Sequence, residues 1–209
     1  RSRQEVVDKT MTDQTTNTKK PAKLSYLGQG WLVLVLAGGF GGLLAYVESN
    51  LKPKIEQNKA DFTLTAIPEL VPGATKGKPF VRNGLTVFEA LDDQDKLLGW
   101  VISTAGDGFA DRIELLIGLD VPATTVTGIK VLSQKETPGL GAKIEKPDTF
   151  SKQFIGKSAT SPIGVAKGKP AGNQVQAITG ATVSSEAVAS IMNKAMAAFI
   201  IANGAAAMG

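Results

Sequence analysis

Residues 27–47, LGQGWLVLVLAGGFGGLLAYV, form a 21-residue run without one ionisable side chain. A helix rises 1.5 Å per residue, so this run spans roughly 31 Å, about the hydrocarbon thickness of a bilayer. Tyr26 and Trp31 stand near one end and Tyr46 near the other, where interfacial aromatic rings belong. A secretory signal has a shorter apolar core followed by a small-residue cleavage site, and neither is present; an uncleaved transmembrane helix over 27–47 is predicted. Gly38 and Gly42 make a GxxxG pair, read either as a face for close helix approach or as lipid-facing glycine. Within twenty residues the N-terminal side carries Lys9, Lys19, Lys20 and Lys23, and the C-terminal side Lys52, Lys54 and Lys59. That balance leans towards a cytoplasmic N-terminus, with the long C-terminal part on the extracytoplasmic side of the inner membrane.

The anchor divides the chain. Residues 1–26 are rich in Thr, Gln, Asn and Lys and read as a polar tail; the sequence leaves open whether residues 1–10 are native, since Arg1 is no initiator and Met11 follows. Residues 48–74 read as a juxtamembrane helix and linker, interrupted near Pro53 and broken at IPELVPGA. Residues 75–203 are expected to form the folded domain, with 204–209 as a tail. Residues 48–209 carry 17 basic against 16 acidic side chains, and this near-neutrality excludes a nucleic-acid-binding domain. The chain has neither Cys nor His, so thiolate-held iron–sulfur clusters, Cys/His zinc sites and histidine base chemistry are excluded. Any redox work needs an organic cofactor.

Apolar runs at 86–91, 97–103, 113–119 and 126–132 predict strands, the first two joined by a hairpin turn at Asp92-Asp93-Gln94-Asp95. Asp148 is placed to cap a short helix reaching Phe154. Val188, Ile191, Met192, Ala195, Phe199 and Ile200 follow helical spacing, so a closing helix over about 184–202 packs on the sheet. The expected class is α+β: one transmembrane helix, then a mostly antiparallel sheet with packed helices.

Three glycine-containing loops remain. In Thr179-Gly180-Ala181-Thr182-Val183-Ser184-Ser185 an apolar run leads into a tight turn with hydroxyls, and a helix leaves it. Such a helix start suits a phosphate, because free N–H groups and the helix dipole favour an anion there; which phosphate is left open. In Glu136-Thr137-Pro138-Gly139-Leu140-Gly141 the glycines let backbone approach a flat partner, with Leu140 available to cover a ring and Glu136 and Thr137 as polar edges. An ordinary turn with solvated polar groups is the other reading. The loop at 105–111 reads most simply as a turn.

Together, the two later loops resemble the [ST]-G-A-T-x-x-[ST] flavinylation motif and the E-T-P-G-L-G box of FMN-binding domains. With the membrane helix and IPELVPGA before them, the chain resembles the G subunit of Rnf-type ion-translocating electron-transport complexes over about 27–200. The related C subunit of the sodium-translocating NADH:quinone reductase is the alternative; a membrane-tethered binding or structural module in which TGAT is only a turn is another. The resemblance implies FMN joined through its phosphate to the Thr182 hydroxyl, installed from FAD by a flavin transferase. Thr179, Gly180, Ala181 and Ser185 match the remaining motif positions. It further implies an electron carrier, not catalytic alone, working with other membrane subunits that couple ferredoxin and NAD chemistry to Na⁺ or H⁺ movement, and it implies no metal. A His common before the E-T-P-G-L-G box is absent; Gln134 and Lys135 stand there. The loop at 105–111 takes the place of a family glycine loop near the flavin.

Overall fold

The structure is a computed structural model that describes residues 24–146 and 150–206. By internal contacts the chain divides into two units, Arg1–Ile55 and Glu56–Gly209. Helix α1 (Leu24–Leu70) runs through the boundary. In the first unit it includes a segment, Gly30–Lys52, long and apolar enough to cross a membrane, and none of that segment is buried. Trp31, Leu34, Phe40 and Leu44 are all exposed, as lipid-facing side chains of a spanning helix are. The interruption expected near Pro53 does not occur: the helix runs on to Leu70 and ends inside the IPELVPGA segment, where a break was expected. A proline removes one N–H and crowds the preceding turn, a cost that kinks some helices and ends others.

The second unit is α+β. Five strands form an antiparallel meander: β1 (Lys76–Arg82), β2 (Leu85–Leu91), β3 (Leu97–Asp107), β4 (Arg112–Asp120) and β5 (Val126–Ser133), neighbours in space as in sequence. The β2–β3 hairpin has Asp92 Oδ1 accepting from the N–H groups of Gln94 (2.8 Å) and Lys96 (2.9 Å). An Asp side chain that folds back on its own turn in this way selects the hairpin. Strand β1 was not expected from the sequence. It is an edge strand, and its Pro79 costs no interior ladder bond there.

Both sheet faces are buried because successive side chains point oppositely. Val87, Ile102, Ile113, Leu115, Ile117 and Leu119 meet the closing helix α2 (Thr182–Ala206) through Val188, Ile191, Met192, Ala195 and Phe199. Phe88, Ala90, Val101 and Leu116 meet the end of α1 through Ala66, Ile67 and Leu70. Glycines thin the sheet under that end: a Cβ on Gly118 would lie 2.7 Å from the Leu70 carbonyl oxygen, and one on Gly99 2.9 Å from Val71 Cγ1. On the α2 side, 3-10 helices Gly141–Glu145 and Ser151–Phe154 and a short parallel pair, β6 (Gly164–Ala166) with β7 (Gln174–Gln176), complete the core. The capping role expected of Asp148 lies outside the described residues. Helix α2 is also long and apolar enough over Thr182–Asn203 to cross a membrane, but Met192, Met196 and Phe199 on it are fully enclosed, so it is a core helix.

A cofactor cleft at the start of helix α2

Two turns of the same design meet at the N-terminal end of α2. In the first, Leu140 N–H donates to Thr137 O (3.2 Å), with Pro138 and Gly139 (φ +78°) as the central pair. In the second, Ala181 N–H donates to Ile178 O (2.9 Å), with Thr179 and Gly180 (φ +79°) in the centre. A positive φ at the third turn position is what glycine supplies without steric cost. Leu140 lies across the second turn: a Cβ on Gly180 would be 3.1 Å from its Cδ2.

Ser185 fixes the second turn to the helix. Its buried hydroxyl accepts from Ile178 N–H (3.0 Å) and donates to Ala181 O (2.9 Å), while its own N–H also reaches Ala181 O (3.0 Å). That last contact is the first bond of α2, so Ala181 is the N-cap and Thr182, Val183 and Ser184 are the first three helical positions. Their N–H groups have no i−4 carbonyl and face outward from the helix end. The helix therefore begins two residues earlier than its apolar periodicity indicates, with Thr182 in the first turn.

The third contributor is the segment at 108–111, closed by Gly108 N–H on Asp111 O (2.9 Å). Between these three pieces lies Glu136, only 3% exposed. Its Oε1 accepts from the N–H groups of Phe109 (2.8 Å) and Ala110 (3.0 Å), and its Oε2 from the Ser184 hydroxyl (2.6 Å). Burial pushes the carboxyl up, but the hydroxyl of Ser184 and the N–H groups of Ala110, Phe109 and Asp111 outweigh it and hold Glu136 below the ordinary glutamate value. Nearby, Asp111 is also held low, first by the N–H of Arg112 and then by Lys135, whose Nζ is 3.1 Å away.

The cleft enclosed by these pieces has a volume of about 510 Å³, within the range of small-molecule sites. Of the residues singled out from the sequence, Thr137, Leu140, Gly141, Gly180, Ala181 and Thr182 line it. Glu136 and Ser185 stand behind it as hydrogen-bonding supports, and Pro138, Gly139 and Thr179 form the turns. Phe109, Val183 and Ser184 line it as well and were not singled out. Phe109 is 66% exposed, and the signal that marks it is its place in the 105–111 loop, which stands where the family has a glycine loop. No lining side chain is ionisable, so a phosphate in the cleft meets N–H groups, hydroxyls and a helix dipole, with no cation. Apolar Phe109, Leu140 and Val183 beside backbone bared by Gly141 and Gly180 suit a flat ring. These residues fit a flavin mononucleotide.

Comparison with known proteins agrees. Residues 108–197 match the FMN-binding domain family. The chain is 28% identical over 172 residues to the G subunit of the ion-translocating oxidoreductase complex of Methanosarcina acetivorans, covering 78% of this chain and 89% of that one. It is 39% identical over 101 residues to the G subunit of the Na⁺-translocating ferredoxin:NAD⁺ oxidoreductase complex of Acetobacterium woodii, 47% of each chain; here the match spans about half the relative's length. Among solved structures, the C subunit of the Na⁺-translocating NADH-quinone reductase of Parabacteroides distasonis superposes with a TM-score of 0.50 at 29% identity, covering 56% of this chain and 61% of that one. The chain thus resembles the G subunits of ion-translocating oxidoreductase complexes.

Proposed function

We propose that the protein is a membrane-anchored electron-transfer subunit of an Rnf-type ferredoxin:NAD oxidoreductase complex, with FMN held covalently through a phosphoester to Thr182. The observation that carries the reading is the placement of Thr182 at the first helical position of α2, partly exposed at the cleft. Its hydroxyl is the one a phosphate bound on the free N–H groups of the helix end can be joined to. Ser184 and Ser185 are buried, with their hydroxyls turned to Glu136 and to the Ala181 carbonyl, whereas Thr182 is partly exposed to an incoming phosphorus.

Attachment is a phosphoryl transfer from FAD: the Thr182 Oγ–P bond forms as the bond from that phosphorus to the AMP oxygen breaks. AMP leaves, and the hydroxyl proton passes to a base of the flavin transferase. The product phosphodiester keeps about one negative charge, and the α2 dipole stabilises it by about 0.3–1 kcal/mol. When bound, flavin supplies reversible one- and two-electron redox chemistry. The chain contributes orientation and charge: Leu140 and Phe109 cover apolar surface, and the cleft-side N–H groups take the phosphate. The apolar segment Gly30–Lys52 anchors the domain at an extracytoplasmic face beside the other membrane subunits. A covalent cofactor cannot be lost into that large volume.

The test is production of the full chain with an active flavin transferase, followed by a denaturing gel read for flavin fluorescence. Wild type should give a fluorescent band and Thr182→Val none, with an unchanged circular dichroism spectrum. A fluorescent Thr182→Val band removes the attachment assignment, and a dark wild-type band removes the covalent-flavin reading.

A further inference from the structure

Glu136 carries more than its neighbours require. Its carboxylate is buried and accepts three hydrogen bonds, yet among the described residues no ammonium or guanidinium lies within ion-pair distance of it. Lys135, next in the chain, is paired with Asp111. Room for the carboxylate is made by two glycines whose φ values are ordinary: a Cβ on Gly108 would overlap Glu136 Oε1, and one on Gly141 would lie 2.9 Å from Oε2 and 2.7 Å from Ser184 Oγ. The groups it holds, Phe109 and Ser184, line the cleft, as does Gly141. The charge therefore sits directly behind the cleft wall, in low dielectric, neutralised only by dipoles. With its proton given to Glu136, the Ser184 hydroxyl can offer only lone pairs towards the cleft.

Resting on the reading that the cleft holds a flavin, we infer that Glu136 is the positioning residue of this site and sets the flavin's potential: it ties the Phe109 loop and Ser184 to the start of α2 and places an unpaired negative charge behind the cleft wall. An unpaired negative charge opposes the arrival of an electron, so it lowers the potential of whatever is reduced in the cleft.

Two readouts on the full chain separate this inference from the flavin reading. In protein made without transferase, hydrogen exchange at Phe109 and Ala110 should quicken in Glu136→Gln by about tenfold, the effect of exchanging a charged acceptor for a neutral one. In matured protein, the flavin midpoint potential should rise in Glu136→Gln. Wild-type amides at 109 and 110 that exchange as freely as an open loop overturn the positioning role, whether or not flavin is attached. A fluorescent, folded Glu136→Gln with the wild-type potential overturns the electrostatic role. If Glu136→Gln does not fold, Ser184→Ala decides: it leaves the carboxylate charged and less screened, so its potential should stay level or fall, and a rise refutes the inference. A dark wild-type band tells only against the flavin reading.

Discussion

Ser185 is the most direct place to test how the cleft is held. Its hydroxyl makes two bonds, accepting from Ile178 N–H at 3.0 Å and donating to Ala181 O at 2.9 Å. Ser185→Ala removes both, but the losses are unequal. The Ala181 carbonyl keeps the backbone bond from Ser185 N–H, whereas the part-buried Ile178 N–H is left without its acceptor. Leaving one such donor unpaired costs about 1–2 kcal/mol, the lower part of the range for a buried group. For a unit of this size that corresponds to a fall in melting temperature of about 2–8 °C. Trp100 is a convenient reporter, since its ring packs edge-on against Phe80 and Phe199 (centroids 5.9 and 5.5 Å) and its indole N–H donates to Val121 O. Tryptophan emission of the detergent-solubilised full chain should follow the melt. Loosening the turn also blurs the presentation of Thr182, so flavin incorporation should slow in the same variant at temperatures where it stays folded. A variant with the wild-type melt and the wild-type rate of incorporation would refute the idea that this hydroxyl holds the turn.

Two further outcomes follow from the charge and polarity of the interior. Glu136 has a folded-state value below its ordinary one, as does Asp120, where burial raises the carboxyl and the N–H groups and hydroxyls of Thr125 and Thr124 more than offset it. Their stabilisation is complete above the ordinary carboxylate range and is lost as pH falls through the depressed values, so the urea midpoint should drop below that range, and less steeply in Glu136→Gln. Thr127 Oγ1 is buried with no hydrogen-bond partner among the described residues, so Thr127→Val should raise stability by about 1–2 kcal/mol, read as a melt higher by about 2–8 °C.

The sheet was legible where its strands are buried on both faces. The run IELLIGL in β4 has Ile113, Leu115, Ile117 and Leu119 towards α2 and Leu116 towards α1, so the apolar stretch at 115–119 marks it despite Glu114. Strand β1, KGKPFVR, was not legible: its side chains are mostly exposed, it contains proline, and its main contact with the core is Phe80 against Trp100. Its pairing partner decides its structure, Pro79 opposite Phe88 and Phe80 opposite Val87, and no local signal in seven residues conveys that. The point within IPELVPGA at which α1 ends was hidden for a related reason. Ala66, Ile67 and Leu70 are fixed by packing on the sheet, and that tertiary contact outweighs the local cost of Pro68.

The glycines of the cleft show why the turns could be read and their support could not. Gly139 and Gly180 have positive φ, a demand of the turn itself, so four-residue spacing suffices to suspect them. Gly108 and Gly141 have ordinary backbone; what excludes a side chain there is Glu136, 28 and 5 positions away in sequence by residue number and in contact only once three loops have met. Taken alone, Glu136 looks like a solvated polar edge beside Thr137, because in sequence nothing distinguishes a carboxylate facing water from one facing inward. Inward is tolerated here only because Phe109 and Ala110 present two N–H groups and Ser184 a hydroxyl to the same carboxylate; without them an unpaired buried charge would protonate. The same three donors belong to the Phe109 loop and the first turn of α2, so the bonds that keep Glu136 charged are also those that close the wall of the cleft.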